Sequence, residues 1–279
     1  MAEKQNDRTS SPLRGVLSIW FSRAKIWWGA SLSAQIVASL FGAISVLTAS
    51  ASPRTALAVG LVSVFGGAGL WRSEALRQRA ESLLRLIEFE DGFGWKVDDK
   101  ILADSLSRAI PVAAKVATRE QEQGNFFASS ETSGARRALD NLRESAWWTQ
   151  QLATLMVWIT GVAAVVVGVI ALWSLLVAAT VISSATPLVV SNVVTAVIAL
   201  VFAGNLVRLP FDFSSLSASA CESDQKASEL IRAGSVETSD ALRLLGDYQL
   251  KRAVGPLLPD WAWRLRRKHF NEIWRRTRG

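Results

Sequence analysis

Between Glu144 and Arg208 the chain contains no Asp, Glu, Lys, Arg or His. A membrane-crossing helix needs ~20 consecutive, mostly apolar residues at about 1.5 Å of rise each. The stretch is therefore long enough for two crossings. Ser183-Ser184-Ala185-Thr186-Pro187, polar and helix-poor, interrupts it near the middle and suits a tight turn between spans at 148–180 and 187–208. Two further charge-free blocks, 26–50 and 55–71, predict spans at 27–50 and 55–72. Gly60, Gly66, Gly67 and Gly69 lower the helix preference of the second of these. The first block starts too far into the chain and is too long for the apolar region of a cleaved signal peptide, and a second block follows at once.

Charge is segregated from these blocks. Half of the 279 residues are hydrophobic and 20% are charged, yet the mean hydropathy is +0.23. Of the 31 Lys and Arg residues, Arg54 alone falls in the 51–54 turn and none falls in the 181–186 turn. The others, beginning with Lys4, Arg8, Arg14, Arg23 and Lys25, lie before the first span, between spans two and three, and after span four. Positive residues stay on the cytoplasmic side, so both termini and the middle block are expected in the cytoplasm. The tryptophans fit this placement. Trp27, Trp28, Trp71, Trp147 and Trp148 mark the cytoplasmic ends of three spans, where an amphipathic ring sits at headgroup depth.

The expected fold is an all-α membrane protein with four transmembrane helices in two hairpins, a helical cytoplasmic insert and a C-terminal tail. Its segments are 1–26 (N-terminal), 27–72 (first hairpin), 73–146 (insert), 147–208 (second hairpin) and 209–279 (tail). In the insert, Leu76, Ala80, Leu83 and Ile87 have helical spacing, so the second span should continue as a helix over 72–92 until the glycines of "DGFGW" end it. A helix near 98–120, ended or kinked by Pro111, should follow, and "ARRALDNLRES" should run as helix into span three. The tail predicts helices near 217–233 and 239–253, the latter capped by Thr238 or Ser239 with Asp240 in its first turn. After "GPLLPD" comes a final helix in which Arg264, Arg266, Arg267, Lys268, Arg275, Arg276 and Arg278 interleave with Trp261, Trp263 and Trp274. A basic aromatic helix beside a membrane is expected to rest on anionic headgroups. Phosphates and stacked bases could meet the same residues, but a membrane-tethered chain makes DNA or RNA an unexpected partner.

The spans carry no ionisable group, which argues against a proton-coupled transporter. Gln35, Gln150, Gln151, Asn192 and Asn205 read as interfacial residues or interhelical hydrogen-bond partners. Ala30, Ala34, Ala38 and Gly42 form a strip of small residues on span one, suited to close packing against another span of this chain or of a neighbouring copy. No phosphate loop, HExxH or CxxC occurs. The lone His269 reads as a surface residue and the lone Cys221 as a packed one. No enzyme, metal or cofactor is expected.

Two stretches carry a family resemblance. In "LLGDYQLKRAVGPLLPDWAWRLRRKHFNE", Gly246, Asp247, Tyr248, Arg252, Pro259, Asp260 and Trp261 follow a tail pattern, and "NLRESAWWTQQLA" gives a polar-to-aromatic entry into span three. With the order of spans and insert, they resemble the SMODS-associated four-transmembrane effectors of bacterial anti-phage nucleotide signalling. Glu88, Phe89, Asp91 and Trp95 echo only part of that family's insert motif. The resemblance implies a homo-oligomerising inner-membrane effector that senses a cyclic oligonucleotide in its cytoplasmic part and then disrupts the membrane. Arg136, Arg137, Arg143, Arg232, Arg243 and Arg252 are the candidate ligand-binding cations. Two other readings stand beside it: a non-catalytic membrane scaffold whose cytoplasmic helices recruit a partner protein, and a constitutive channel or transporter subunit.

Overall fold

The computed structural model describes residues 11–48, 52–109, 127, 129–180 and 187–278. Among them are seven α-helices and no strand: α1 (Ser11–Leu47), α2 (Pro53–Phe93), α3 (Asp99–Ala109), α4 (Ala135–Thr180), α5 (Pro187–Arg232), α6 (Thr238–Val254) and α7 (Asp260–Arg278). The expected 181–186 turn, Pro111 and the second half of the 98–120 helix lie outside the described residues. So do the side chains of Asn192, Asn205 and Arg275.

The helices divide into two compact units. The first gathers residues 1–24, 74–151 and 215–255; the second gathers 25–73, 152–214 and 256–279. Helices α1, α2, α4 and α5 each contribute residues to both.

The first unit has two buried clusters. Leu13, Val16, Leu17, Ile19 and Trp20 of α1 pack with Ala80, Leu83, Leu84 and Ile87 of α2. Ala80, Leu83 and Ile87, three of the four residues that spaced a helical stripe along 72–92, thus find their cover in a segment before the first span. Leu139, Leu142 and Ala146 of α4 meet Ala220 and Ala227 of α5 and Leu244, Leu245 and Tyr248 of α6. Burying each such Leu contributes about 1.5–3 kcal/mol. Gly92 lets α2 and α4 touch, since a Cβ there would lie 2.9 Å from the Ala138 Cβ and 3.0 Å from its Cα. Gly94, at φ +75°, closes α2 in the left-handed conformation, its N–H donating to the Glu90 carbonyl at 2.9 Å.

The second unit has the polarity of a membrane protein. Phe65, Trp71, Trp158, Val162 and Val165 are all more than 60% exposed. Ser31, Gln35, Ser39, Thr160 and Ser174 are buried. In water that distribution would be inverted; in lipid, polar groups must turn inward to find partners. Helices α1, α2 and α4 are long and apolar enough to cross a membrane. The chain is a multi-pass membrane protein.

Two expectations need correction. Helix α5 does not stop after span four; it runs unbroken through Pro210 to Arg232. A proline inside a helix forfeits one backbone hydrogen bond and crowds the preceding turn, and here the burial of Phe213, Leu216 and Ala220 just beyond it offsets that cost. The cap of α6 is Glu237, with no side-chain capping bond, in place of Thr238 or Ser239. The Ser239 hydroxyl lies 3.2 Å from the Glu237 carboxylate, an exposed contact that occupies it. Asp240 does sit in the first turn, where its charge favours the helix dipole.

Candidate functional site

The first unit contains a buried, electrically balanced network. Glu81 and Glu88 lie two turns apart on α2, Gln249 and Arg252 one turn apart on α6. Arg252 presents its guanidinium as a fork. Nη1 donates to Glu88 Oε1 at 2.6 Å and Nη2 to Glu88 Oε2 at 3.1 Å, while Nε and Nη2 reach Glu81 Oε2 at 3.3 and 3.2 Å. Gln249 Nε2 adds a bond of 2.8 Å to Glu88 Oε2. Arg77, one turn before Glu81, donates from Nη2 to the Arg252 carbonyl at 2.8 Å and pairs with Glu74 at 3.5 Å. Both carboxylates and Arg77 are buried.

Electrostatics follow from this geometry. Burial lowers the basicity of Arg252, but the carboxylates of Glu88 and Glu81 outweigh it and push the pKa well above its ordinary value. Arg77 goes the other way: burial dominates, only partly opposed by Glu74 and Glu81. Pairing of this kind does not make a buried ion pair a large net stabiliser, because desolvation cancels much of the attraction. It makes each member costly to remove.

Tyr248 completes the site. Its hydroxyl is 3.1 Å from Ser145 Oγ and 2.9 Å from Thr149 Oγ1, both on α4, and its ring centroid is 5.3 Å from the Arg252 guanidinium carbon. Burial raises its pKa, opposed by Arg252 and the two hydroxyls. Because the folded pKa lies above the unfolded value of 10.0, the stabilisation is fully present below pH 10 and is lost as pH rises through the folded pKa. Tyr248 is the chain's single tyrosine. Tyrosinate absorbance should thus stay silent past the ordinary phenol range and then appear together with unfolding; titration at the ordinary value in folded protein would show that the phenol is not buried.

The six sequence-predicted cations fall into separate groups. Arg252 is committed to Glu81 and Glu88. Arg143 lies 3.5 Å from Asp140 and 3.9 Å from Asp224. Arg136 pairs with Glu131 at 3.3 Å, and Arg137 donates to the Glu131 carbonyl at 3.1 Å. Arg232 and Arg243 are exposed, without an ion pair among the described residues. The resemblance motifs converge more closely: Glu88, Tyr248 and Arg252 all belong to the network, whereas Asp247 is exposed. Sequence reasoning missed Arg77, Glu81 and Gln249. A signal existed, since positions 77, 81, 84 and 88 repeat at 4- and 3-residue spacing beside the apolar stripe.

Of the predicted interface aromatics, Trp71 is 74% exposed and Trp27 and Trp261 are about half exposed. Trp28, Trp148, Trp263 and Trp274 are half-buried. Trp147 is buried, edge-on to Trp148 at 4.9 Å. The small-residue strip faces its own chain: the Gly66 Cβ position is 3.7 Å from Ala34, Ala38 and Gly42 are buried, and only Ala30 is exposed. No group of His, Cys, Asp and Glu suited to a metal occurs among the described residues. No family model, curated protein or solved structure matches the chain.

Proposed function

We propose that this membrane protein is a signal-gated effector of bacterial anti-phage defence. Its charged helices sense an anionic messenger, and its apolar helices respond by assembling with other copies and breaching the inner membrane. One observation carries the reading: α1, α2, α4 and α5 pass without a break from the charged unit into the apolar one. A shift of the charged half of α1, α2 or α4 is then also a shift of its apolar half. A ligand can drive such a shift only through different affinity for two arrangements. The chemical class of the messenger, a cyclic oligonucleotide, comes from the family resemblance. Arg232 and Arg243, exposed and without an ion pair among the described residues, are the cations most available to its phosphates. In this reading 187–208 forms the fourth span and both termini face the cytoplasm.

The pairing of Arg252, Arg143 and Arg136 with carboxylates favours a second reading, a scaffold without a messenger, whose cytoplasmic helices recruit a protein. Dye release from liposomes holding the purified chain separates the two. The effector should leak only when one member of a panel of cyclic di- and trinucleotides is added. Silence across the panel, with folded and correctly inserted protein, would put the scaffold first.

A further inference from the structure

The C-terminal helix α7 belongs to the apolar unit. Its first residue, Asp260, forms an ion pair with Lys25, immediately before Ile26 and Trp27 at the start of the first apolar block. Ile26 is 68% exposed and Trp27 is 45% exposed. The start of α7 is therefore fixed beside the entry of α1 into the membrane. Ala262 and Phe270 are buried and hold one face of the helix against the protein. The outward face combines two kinds of group. Trp261 and Leu265, one turn apart, are exposed apolar side chains. Arg264, Arg266, Arg267 and Lys268 are exposed cations that no ion pair among the described residues neutralises, whereas Arg276 is paired with Glu272.

We infer that α7 is an interfacial helix that binds anionic phospholipid, with the cations on headgroup phosphates and Trp261 and Leu265 inserted at the acyl boundary. Each half of the arrangement excludes a simpler account. Exposed Trp and Leu are unfavourable in water, and unpaired Arg and Lys are unfavourable in hydrocarbon; the headgroup layer satisfies both. A nucleic acid would satisfy the cations and could stack on Trp261, but Leu265 and the neighbouring Ile26 offer nothing to a base. The inference needs only a membrane and stands whether or not the chain is gated.

The test uses the full chain with Cys221→Ser and His269→Cys, labelled with a polarity-sensitive fluorophore. The protein is placed in nanodiscs of phosphatidylcholine alone or mixed with phosphatidylglycerol. Adding phosphatidylglycerol should shift the emission to the blue and expose the probe to quenching by nitroxide-headgroup lipid, an effect weakened by salt. Neutralising Arg264→Gln or Lys268→Gln should weaken the phosphatidylglycerol dependence about fivefold each. Because the labelled chain keeps every cation of α7, its result stands even if those variants fold poorly. Identical emission and quenching in the two lipids would overturn the inference. So would a response to an added oligonucleotide in place of phosphatidylglycerol, which would assign the face to nucleic acid.

Discussion

Arg252→Met should destabilise the detergent-solubilised chain by about 3–5 kcal/mol, because Glu81 and Glu88 would stay buried with no fork to neutralise them. The same substitution combined with Arg77→Met, Glu81→Gln and Glu88→Gln should recover most of that loss, since four neutral side chains then replace the network's two cations and two buried carboxylates. Thermal or denaturant unfolding followed by tryptophan fluorescence would report both values. The difference between the combined variant and the sum of its parts measures the coupling directly. A loss below about 1 kcal/mol for Arg252→Met would mean that water reaches the two carboxylates, contrary to their exposures of 5% each.

A glycine should prove nearly as intolerant. Gly92→Ala places a methyl against the Cβ and Cα of Ala138, and the second of these atoms belongs to the α4 backbone. A side chain cannot swing away to make room, so the helices must separate, at a cost of about 1–3 kcal/mol. Ala138→Gly in the same chain should return part of the loss by removing the Cβ contact, though a glycine in the first turn of α4 itself costs up to about 0.5–1 kcal/mol. If Gly92→Ala unfolds at the same midpoint as the parent chain, the close approach is not there.

Much of the fold was legible because it depends on local spacing. The charge-free blocks announced apolar helices, the stripe at Leu76, Ala80, Leu83 and Ile87 announced the continuation of α2, and "ARRALDNLRES" announced the start of α4 within the described residues. The site was legible only in fragments. Tyr248 and Arg252 stood out from a motif, but Arg252 finds Glu88 across 164 positions of sequence, and no periodicity encodes a partner that far away. The spacing of Arg77 and Glu81 beside the apolar stripe marks a shared flank of α2, but it does not say that the flank meets α6. The run of α5 past Pro210 was hidden for the same reason: local propensity predicts an end there, and the packing of Phe213 and Leu216 overrides it.

Pro210 has a mechanical consequence as well. It has no N–H to donate to the Leu206 carbonyl, so the ladder of α5 lacks a rung at that level. A helical rod resists bending through those rungs, and its stiffness drops locally where one is missing. Thermal flexing of α5 should therefore concentrate near 206–210, just before Ser214 and Ser215, where its residues pass from one compact unit to the other. Among the four helices that contribute to both units, α5 is the one described with a proline inside it, and the level of that proline is where it bends most readily.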